Sequence, residues 1–296
     1  MVAGLADRRR CATIVSVPGP GDDLMQRVGD IVREASAACV EPRFGRLGAG
    51  ESWDKAPGET VTVADEEAER MLAGSLPAYF PAPVVGEEGC SRDPSLLEAL
   101  AGEWAWVVDP VDGTANFAAA RPDWAVMVAL LHGGSPVAGW IWRPTVGHMY
   151  AVQAGAGAWR DGVRLHRRPP VSADPADLRG AVLTRVLPPE RLAVVEANRG
   201  RFAEVTAGRY CAGAEYPALV EGEQDFVSFW RALPWDHAPG TLLAREAGCQ
   251  ALHLDGTPYR PAVRRTGLLV AAGEAAWTAA RDALWGGDQP QAAGAH

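Results

Sequence analysis

The sequence has little basic charge and almost no lysine. Its 296 residues carry 28 basic and 37 acidic side chains, which gives a net charge of −9 at neutral pH, and Lys55 is the only lysine. An acidic chain has no general attraction for the phosphate backbone of nucleic acids. We therefore expect no nucleic-acid partner. Any phosphate that the protein handles must be met by a local device, such as a metal ion or a helix N-terminus.

Several motifs are also missing. The five cysteines are scattered, with no Cys-x-x-Cys pair and no histidine at ligand spacing, which argues against zinc. There is no G-x-S-x-G turn of a serine hydrolase and no G-K-[ST] of a phosphate-binding loop. No stretch approaches the ~20 apolar residues of a membrane span, so we expect no membrane partner. Unpaired cysteines favour a reducing, cytoplasmic compartment.

The hydrophobic pattern divides the chain into two lobes. We expect a flexible arm over residues 1–20, an α+β lobe over 21–170, an α/β lobe over 171–285 and a disordered tail over 286–296. Within them, period-3.6 patterns predict helices at 22–40, 66–76, 236–247 and 274–284. Short apolar runs predict an antiparallel meander from strands at 104–108, 125–131, 137–142 and 148–152, and further strands at 84–86, 181–184, 209–212 and 267–271.

Four acidic segments follow apolar strands or begin helices, namely Val61–Asp65, Gly86–Gly89, Asp109–Phe117 and Pro234–Gly240. These are the positions where α/β proteins gather ligands from distant parts of the chain. Simpler interpretations exist for three of them. Asp65 and Asp236 are each typical of a helix N-cap, and Gly-Glu-Glu-Gly is typical of a solvated turn.

The segment after the predicted strand at 104–108 is harder to explain without a ligand. Asp109 and Asp112 follow a buried strand, where an uncompensated charge is costly, and a hard cation would give both carboxylates a partner. The D-x-D-G-T loop of haloacid-dehalogenase phosphatases is superficially similar. Its two aspartates are two residues apart rather than three, and no proline follows the first one, so we disfavour that class.

All four segments together resemble the inositol monophosphatase family of magnesium-dependent, lithium-sensitive phosphomonoesterases. Asp109–Phe117 is similar to its D-P-hydrophobic-D-G-T-x-N-F signature, and Trp235–Gly240 to its W-D-x-A-x-G signature. Val61–Glu69 resembles V-T-x-x-D-x-x-x-E, and Gly86–Glu88 resembles G-E-E. The four occur in the family's order. The resemblance implies an α+β protein with a five-layered αβαβα sandwich, and a homodimer.

The resemblance also implies a role for each matching residue. An all-oxygen ligand set suits two or three Mg²⁺ ions, with Mn²⁺ as a possible substitute. A water activated by the metal would attack a small phosphate ester directly, with no phosphoenzyme. The implied metal ligands are Glu87, Asp109, the carbonyl of Val111, Asp112 and Asp236; the implied catalytic residues are Glu87, Thr114 and Asp65; and the implied substrate-binding residues are Asp112, Gly113, Thr114, Glu215 and Asp236.

The substrate itself stays open at the sequence level. Animal-type members place a glutamate seven residues before the W-D aspartate, where this chain has Phe229. Glu215 could supply a hydroxyl-binding carboxylate or lie on the surface, and Lys55 could reach the metal site or be a solvated loop lysine. For His237 a helix-surface role is favoured. Possible substrates are inositol phosphate, sugar phosphates, fructose 1,6-bisphosphate, histidinol phosphate, 3′-phosphoadenosine 5′-phosphate and NADP. A catalytically silent ligand-binding member is disfavoured, because every expected ligand is present.

Overall fold

The computed structural model describes residues 21–56 and 59–286. Its α-helices are α1 (Asp22–Ala35), α2 (Val63–Tyr79), α3 (Glu87–Arg92), α4 (Thr114–Ala118), α5 (Pro189–Asn198), α6 (Ala212–Glu221), α7 (Pro234–Glu246) and α8 (Glu274–Trp285). The strands are β1 (Ser52–Ala56), β2 (Glu59–Thr62), β3 (Val84–Gly86), β4 (Trp104–Asp112), β5 (Ala125–His132), β6 (Ser135–Arg143), β7 (His148–Gln153), β8 (Gly157–Arg160), β9 (Val163–Leu165), β10 (Arg179–Val182), β11 (Glu204–Thr206), β12 (Phe226–Phe229), β13 (Gln250–His253) and β14 (Leu268–Ala271).

These strands form a hairpin and two larger sheets. β1 and β2 pair with each other. The seven-stranded sheet runs in chain order from β3 to β9, and only its β3–β4 pair is parallel. The five-stranded sheet has the order β11-β10-β12-β14-β13, in which β10 is parallel to both neighbours and β14 antiparallel to both of its own. The meander predicted from the sequence is therefore confirmed.

Alternation along the strands explains how the sheets stack. On β5, Val126, Val128 and Leu130 face the layer of α1 and α2. The intervening Ala125 and Met127 face the layer of α6 and α7. Because successive side chains point to opposite faces, a strand buried on both faces must be apolar throughout, as β5 is.

The helices α6 and α7 lie between the two sheets and share one core with both, since residues of β5, α6, α7, β12 and β14 belong to a single buried cluster. The far face of the five-stranded sheet packs against α5 and α8. The order of layers is thus α1/α2, seven-stranded sheet, α6/α7, five-stranded sheet and α5/α8. The predicted five-layered αβαβα sandwich is confirmed.

Two local predictions are wrong. Residues 209–212 form no strand, because the backbone turns at Tyr210, whose φ is +55°, and α6 begins at Ala212. Strand β4 does not stop before Pro110 but continues to Asp112 through an irregular register. The arm predicted at 1–20 and most of the tail predicted at 286–296 lie outside the described residues. Among the helices of the described chain, none combines the length and apolarity needed to span a bilayer.

Candidate active site

The end of β4 brings two aspartates to one face of the sheet. Asp109 pairs with Met127 and Asp112 with Ala125, so three steps on β4 match two steps on β5. An extra residue of this kind is a β-bulge, and it turns Asp112 onto the same face as Asp109. Pro110, which has no N–H to give to the ladder, lies within the irregular stretch. Both carboxylates therefore face the α6/α7 layer.

Three carboxylates from three different elements converge here. One oxygen each of Glu87, Asp109 and Asp236 lies within 4.8 Å of the others. Glu87 begins α3, and Asp236 lies in the first turn of α7 rather than capping it from outside. The first turn of a helix favours negative charge through the helix dipole. Both helices thus present a carboxylate toward the buried Asp109 of β4.

The electrostatics of this cluster call for a cation. Burial and then the charges of Glu87 and Asp112 raise the pKa of Asp109 well above its ordinary value. The pKa of Asp236 is also raised well above the ordinary value, by burial and then by Asp112 and Glu87. Like charges held together in a buried place destabilise their ionised forms, and a divalent cation reverses that effect. A set of carboxylate oxygens fits Mg²⁺ or Mn²⁺.

Asp112 is held by the start of α6. Its Oδ2 accepts hydrogen bonds from the Cys211 Sγ at 3.0 Å and from the Gly213 amide at 2.5 Å. Burial raises its pKa to about 6, although these hydrogen bonds act in the opposite direction. Gly213 has no room for a side chain, since a Cβ would lie 2.5 Å from Ala125 Cβ. The sequence analysis did not predict this contact, because Cys211 and Asp112 are 99 residues apart.

A second group of residues lies beside the carboxylate cluster. The Thr114 hydroxyl is 2.8 Å from the carbonyl oxygen of Val111 and 3.2 Å from Asp65 Oδ1. Asp65 is not the N-cap of α2, as one interpretation of the sequence had it. Thr62 is the N-cap, and Asp65 closes a capping box by accepting the Thr62 amide at 2.8 Å. Burial raises the pKa of Asp65 to about 7, against the effect of its hydrogen bonds from Thr62.

The turn between β4 and α4 requires glycine. Gly113 has a φ of +82°, and a Cβ there would lie 2.8 Å from the carbonyl oxygen of Asp123. Gly113 and Thr114 both line the cavity that contains the carboxylates. Their backbone amides follow the last ligand candidate directly, which is where a loop entering a helix can hold an anion.

Glu69, which the sequence analysis noted only as part of a motif, holds α3 in place. Its two carboxylate oxygens accept the amides of Glu88 and Gly89, each at 2.7 Å. Gly86 allows this close approach, because a Cβ there would lie 2.3 Å from Glu69 Oε2. Glu69 therefore supplies the N-terminal cap of the short helix that carries Glu87.

Lys55 reaches the cluster from the β1–β2 hairpin. Its Nζ is 3.1 Å from Glu87 Oε1 and 2.8 Å from Glu88 Oε1, and its side chain is only 15% exposed. Burial alone would lower the pKa of Lys55, but the charges of Glu87 and Glu88 outweigh it and raise that pKa above its ordinary value. The alternative of a solvated loop lysine does not describe this residue.

Glu215 does not lie where a substrate contact would need it. The residue is fully buried and is absent from the cavity lining. Its carboxylate accepts the Arg209 amide and lies 2.8 Å from Gln224 Nε2, and the guanidinium of Arg209 lies 3.3 Å away. Neither expectation for Glu215, a hydroxyl-binding group or a surface residue, agrees with this position. Instead it stabilises the turn before α6.

His237 is also buried, contrary to the expected helix-surface role. Its Nε2 lies 3.0 Å from the carbonyl oxygen of Arg231, which only an N–H can donate to. Its Nδ1 therefore accepts the hydroxyl of Tyr216 at 2.9 Å. Burial lowers the pKa of His237 to about 3. The neutral imidazole thus fixes the first turn of α7, in which Asp236 lies.

The carboxylates lie in an open cavity of about 160 Å³ between the two sheets. One side of its wall is formed by Glu87, Asp109, Val111, Asp112, Gly113, Thr114 and Asp236. An αβαβα sandwich with an oxygen-rich cluster at the end of a central strand, next to backbone amides in a glycine turn, defines a class. This is the architecture of metal-dependent hydrolases of phosphate esters.

Comparison with known proteins narrows the class. The model of the inositol monophosphatase family matches residues 23–285. The chain is 32% identical over 216 residues to a probable inositol 1-monophosphatase, ImpA, of Mycobacterium tuberculosis, which covers 69% of this chain and 75% of the relative. The chain therefore belongs to the inositol monophosphatase family, and membership supports a phosphatase that acts on small phosphate esters.

Solved structures agree on the fold. The extragenic suppressor protein SuhB of Bartonella henselae superposes with a TM-score of 0.73 at 22% identity, over 88% of this chain and all of that one. A dual-specific inositol monophosphatase/NADP phosphatase, solved with D-inositol 1-phosphate bound, superposes with a TM-score of 0.72 at 17% identity, over 90% of this chain and 98% of that one. At these identities the likeness concerns the fold alone.

Proposed function

We propose that this protein is a Mg²⁺-dependent phosphomonoesterase that hydrolyses a small phosphate ester by direct attack of water. The observation that carries the proposal is the convergence of Glu87, Asp109 and Asp236 within 4.8 Å in the cavity. Buried like charges at this separation are costly without a cation, and a phosphate dianion cannot approach them unless cations lie between. The proposed metal ligands are these three residues with Asp112 and the carbonyl of Val111.

The chain's own groups account for the remaining requirements. Bound divalent ions supply charge neutralisation and a more acidic water. Thr114 and Asp65 hold the hydrogen-bond network in which the attacking water is oriented and loses its proton. The amides of Gly113 and Thr114 bind the phosphate oxygens. Water forms the new P–O bond, the ester P–O bond breaks, and the leaving alcohol takes up a proton, so that R–O–PO₃²⁻ and H₂O give R–OH and HPO₄²⁻.

The remaining features of the proposal have weaker support. The described cysteines Cys39, Cys90, Cys211 and Cys249 are buried free thiols, which is consistent with a cytoplasmic protein. A homodimer and the use of Mn²⁺ in place of Mg²⁺ follow from family membership and the oxygen ligand set. Each of these can be tested with the purified chain.

The first test is phosphate release from a panel of phosphate monoesters, measured with Mg²⁺, with a chelator, and with Mg²⁺ plus lithium. We expect release that needs Mg²⁺ and that lithium inhibits. Asp109→Asn should lower turnover by orders of magnitude, whereas Asp30→Asn, an exposed carboxylate on α1, should leave it unchanged. Metal binding without turnover of any ester, or full activity of Asp109→Asn, would contradict the proposal.

A further inference from the structure

The cavity has two walls of different chemistry. Opposite the carboxylates, its lining consists of Leu183, Arg185, Tyr210, Phe229 and Trp230, which we call the distal wall. Three of these five side chains are aromatic, and Phe229 is buried and packs on the ring of Tyr216 at a centroid distance of 5.3 Å. A phosphate held at Gly113 would place its leaving group against this wall.

Polar side chains near the distal wall are already engaged within the protein. The hydroxyl of Tyr210 lies 3.2 Å from Thr184 Oγ1, and both ring nitrogens of His237 have partners. Glu59, the carboxylate at the opposite rim, forms an ion pair with Arg231. A polyol that enters a cavity must exchange its hydrogen bonds to water for bonds to protein. This wall offers few such partners, whereas its rings suit a flat, weakly polar group.

Arg185 adds a positive charge to this apolar surface. Its guanidinium carbon lies 4.4 Å from the centroid of the Tyr210 ring. Among residues 21–56 and 59–286, no carboxylate lies within 4.0 Å of the Arg185 guanidinium. An exposed arginine stacked on an aromatic ring, with no carboxylate partner, is suited to bind an anion on a ligand that also stacks.

The backbone of the distal wall is held in an unfavourable conformation. Tyr210 has a φ of +55°, a region that costs a non-glycine residue about 1–2 kcal/mol. The neighbouring Arg209 is fixed from two sides, because Glu215 accepts its amide and Asn116 Nδ2 donates to its carbonyl oxygen at 2.7 Å. Buried groups thus maintain strain that places the Tyr210 ring in the cavity, and such strain is typical of functional sites.

We propose that the leaving group of the substrate is an alcohol that carries an aromatic ring and a second anionic group. The ring stacks on Tyr210 with Phe229 and Trp230 beside it, and the anion meets Arg185. This inference rests on the proposed function, because it concerns the alcohol part of the same ester. The hydrolysis itself is unchanged, and only the chemistry that selects the alcohol is specified.

Four substrates separate the two features. Inositol 1-phosphate has neither ring nor second anion, fructose 1,6-bisphosphate has only the anion, adenosine 2′-phosphate has only the ring, and adenosine 2′,5′-bisphosphate has both. We expect kcat/KM to rise by about tenfold for the ring and about tenfold again for the anion, as for one stacked base and one charge-assisted hydrogen bond. Equal or higher kcat/KM for inositol 1-phosphate would overturn the inference.

Two variants assign the effects to residues. Arg185→Gln should lower kcat/KM for adenosine 2′,5′-bisphosphate about tenfold and change that for adenosine 2′-phosphate by less than twofold. Tyr210→Asn, which removes the ring but tolerates a positive φ, should lower both adenine substrates alike and spare inositol 1-phosphate. Arg281→Gln is the matched control, since Arg281 stacks on Trp277 at 5.0 Å in the distant helix α8. Equal losses on all four substrates would contradict a specificity role.

A binding measurement keeps this inference separate from the catalytic proposal. Titration calorimetry of the chain with adenosine 5′-phosphate, the dephosphorylated product of the best expected substrate, needs no turnover. We expect it to bind at least tenfold more tightly than inositol, and Arg185→Gln to remove most of that difference. If no ester is hydrolysed but this binding is found, the proposed function fails and the inferred subsite stands. If inositol binds as tightly, the subsite is refuted whatever the turnover.

Discussion

Replacing Asp109 with asparagine should make the metal-free protein more stable and the metal-loaded protein less stable than the unmodified chain. Asp109 is 1% exposed, and its Oδ1 accepts the Val111 amide at 3.0 Å, a bond that the asparagine oxygen can keep. Two further carboxylates lie within 4.8 Å. At that separation and an effective dielectric constant of about 20, each pair of charges repels by about 3.5 kcal/mol.

The net gain is smaller than this repulsion, because the raised pKa values mean that protons relieve part of it. We expect Asp109→Asn to increase the free energy of unfolding without metal by about 1–3 kcal/mol, a rise of a few degrees in Tm. Magnesium at 100 times its Kd should stabilise the unmodified protein by about 2.7 kcal/mol and the variant by much less. The order of the two Tm values should therefore reverse when Mg²⁺ is added.

Thermal unfolding followed by circular dichroism, with chelator and with a Mg²⁺ series, tests this reversal. Asp30→Asn, which removes an exposed carboxylate from α1, should leave both Tm values within about a degree. Two outcomes would refute the reasoning. Equal stabilisation of both proteins by Mg²⁺ would mean that Asp109 is not a ligand, and a folded variant less stable than the unmodified chain in chelator would mean that the carboxylates do not repel.

Further predictions concern the groups around the cluster. Gly113→Ala should lower the free energy of unfolding by about 1–3 kcal/mol in chemical denaturation, because it adds a clash at 2.8 Å to the strain of a positive φ. Gly155→Ala, at φ +73° with nothing within 4 Å, should cost less, and an equal loss would exclude the clash. Glu69→Gln should weaken Mg²⁺ binding by about tenfold in calorimetry, since it loosens the helix that presents a ligand, and unchanged affinity would contradict this. Burial lowers the pKa of His253, so its neutral form stabilises the fold above pH about 6.5 and this contribution is lost as the pH falls. His253→Gln should therefore lose less stability than the unmodified chain between pH 7 and pH 5, whereas a variant of the exposed His148 should follow the unmodified chain.

Much of the fold could be predicted from the sequence, because local patterns determine it. The apolar strand β5 and its neighbours alternate with clear turn signals, and these predict the meander of the seven-stranded sheet. The motif residues were predicted for a related reason. Glycine at 113 and the paired aspartates of β4 are required locally, by a positive φ and by the chemistry of a cation.

The errors fall on residues whose surroundings come from distant parts of the chain. Helix α7 is buried between two sheets, so its apolar pattern has no exposed side, and His237 could not be assigned to the core from periodicity. Glu215 follows small residues that suggest a loop, yet the protein buries it completely. Its partners Arg209 and Gln224 lie six and nine residues away, and the turn that brings them to it is visible only in the folded chain.

The motif of β4 and α4 determines where the substrate is selected as well as where the metal binds. Asn116 of this motif donates to the carbonyl oxygens of Asp123 and Arg209, each at 2.7 Å, and so connects the carboxylate strand to the turn that carries Tyr210. The position of that turn is therefore tied to the catalytic residues, while the side chain at 210 is free to differ. A chain can then keep every metal ligand and still present a different wall to the alcohol. This is why the four motifs predict the hydrolysis, whereas the substrate must be inferred from Arg185, Tyr210 and Phe229.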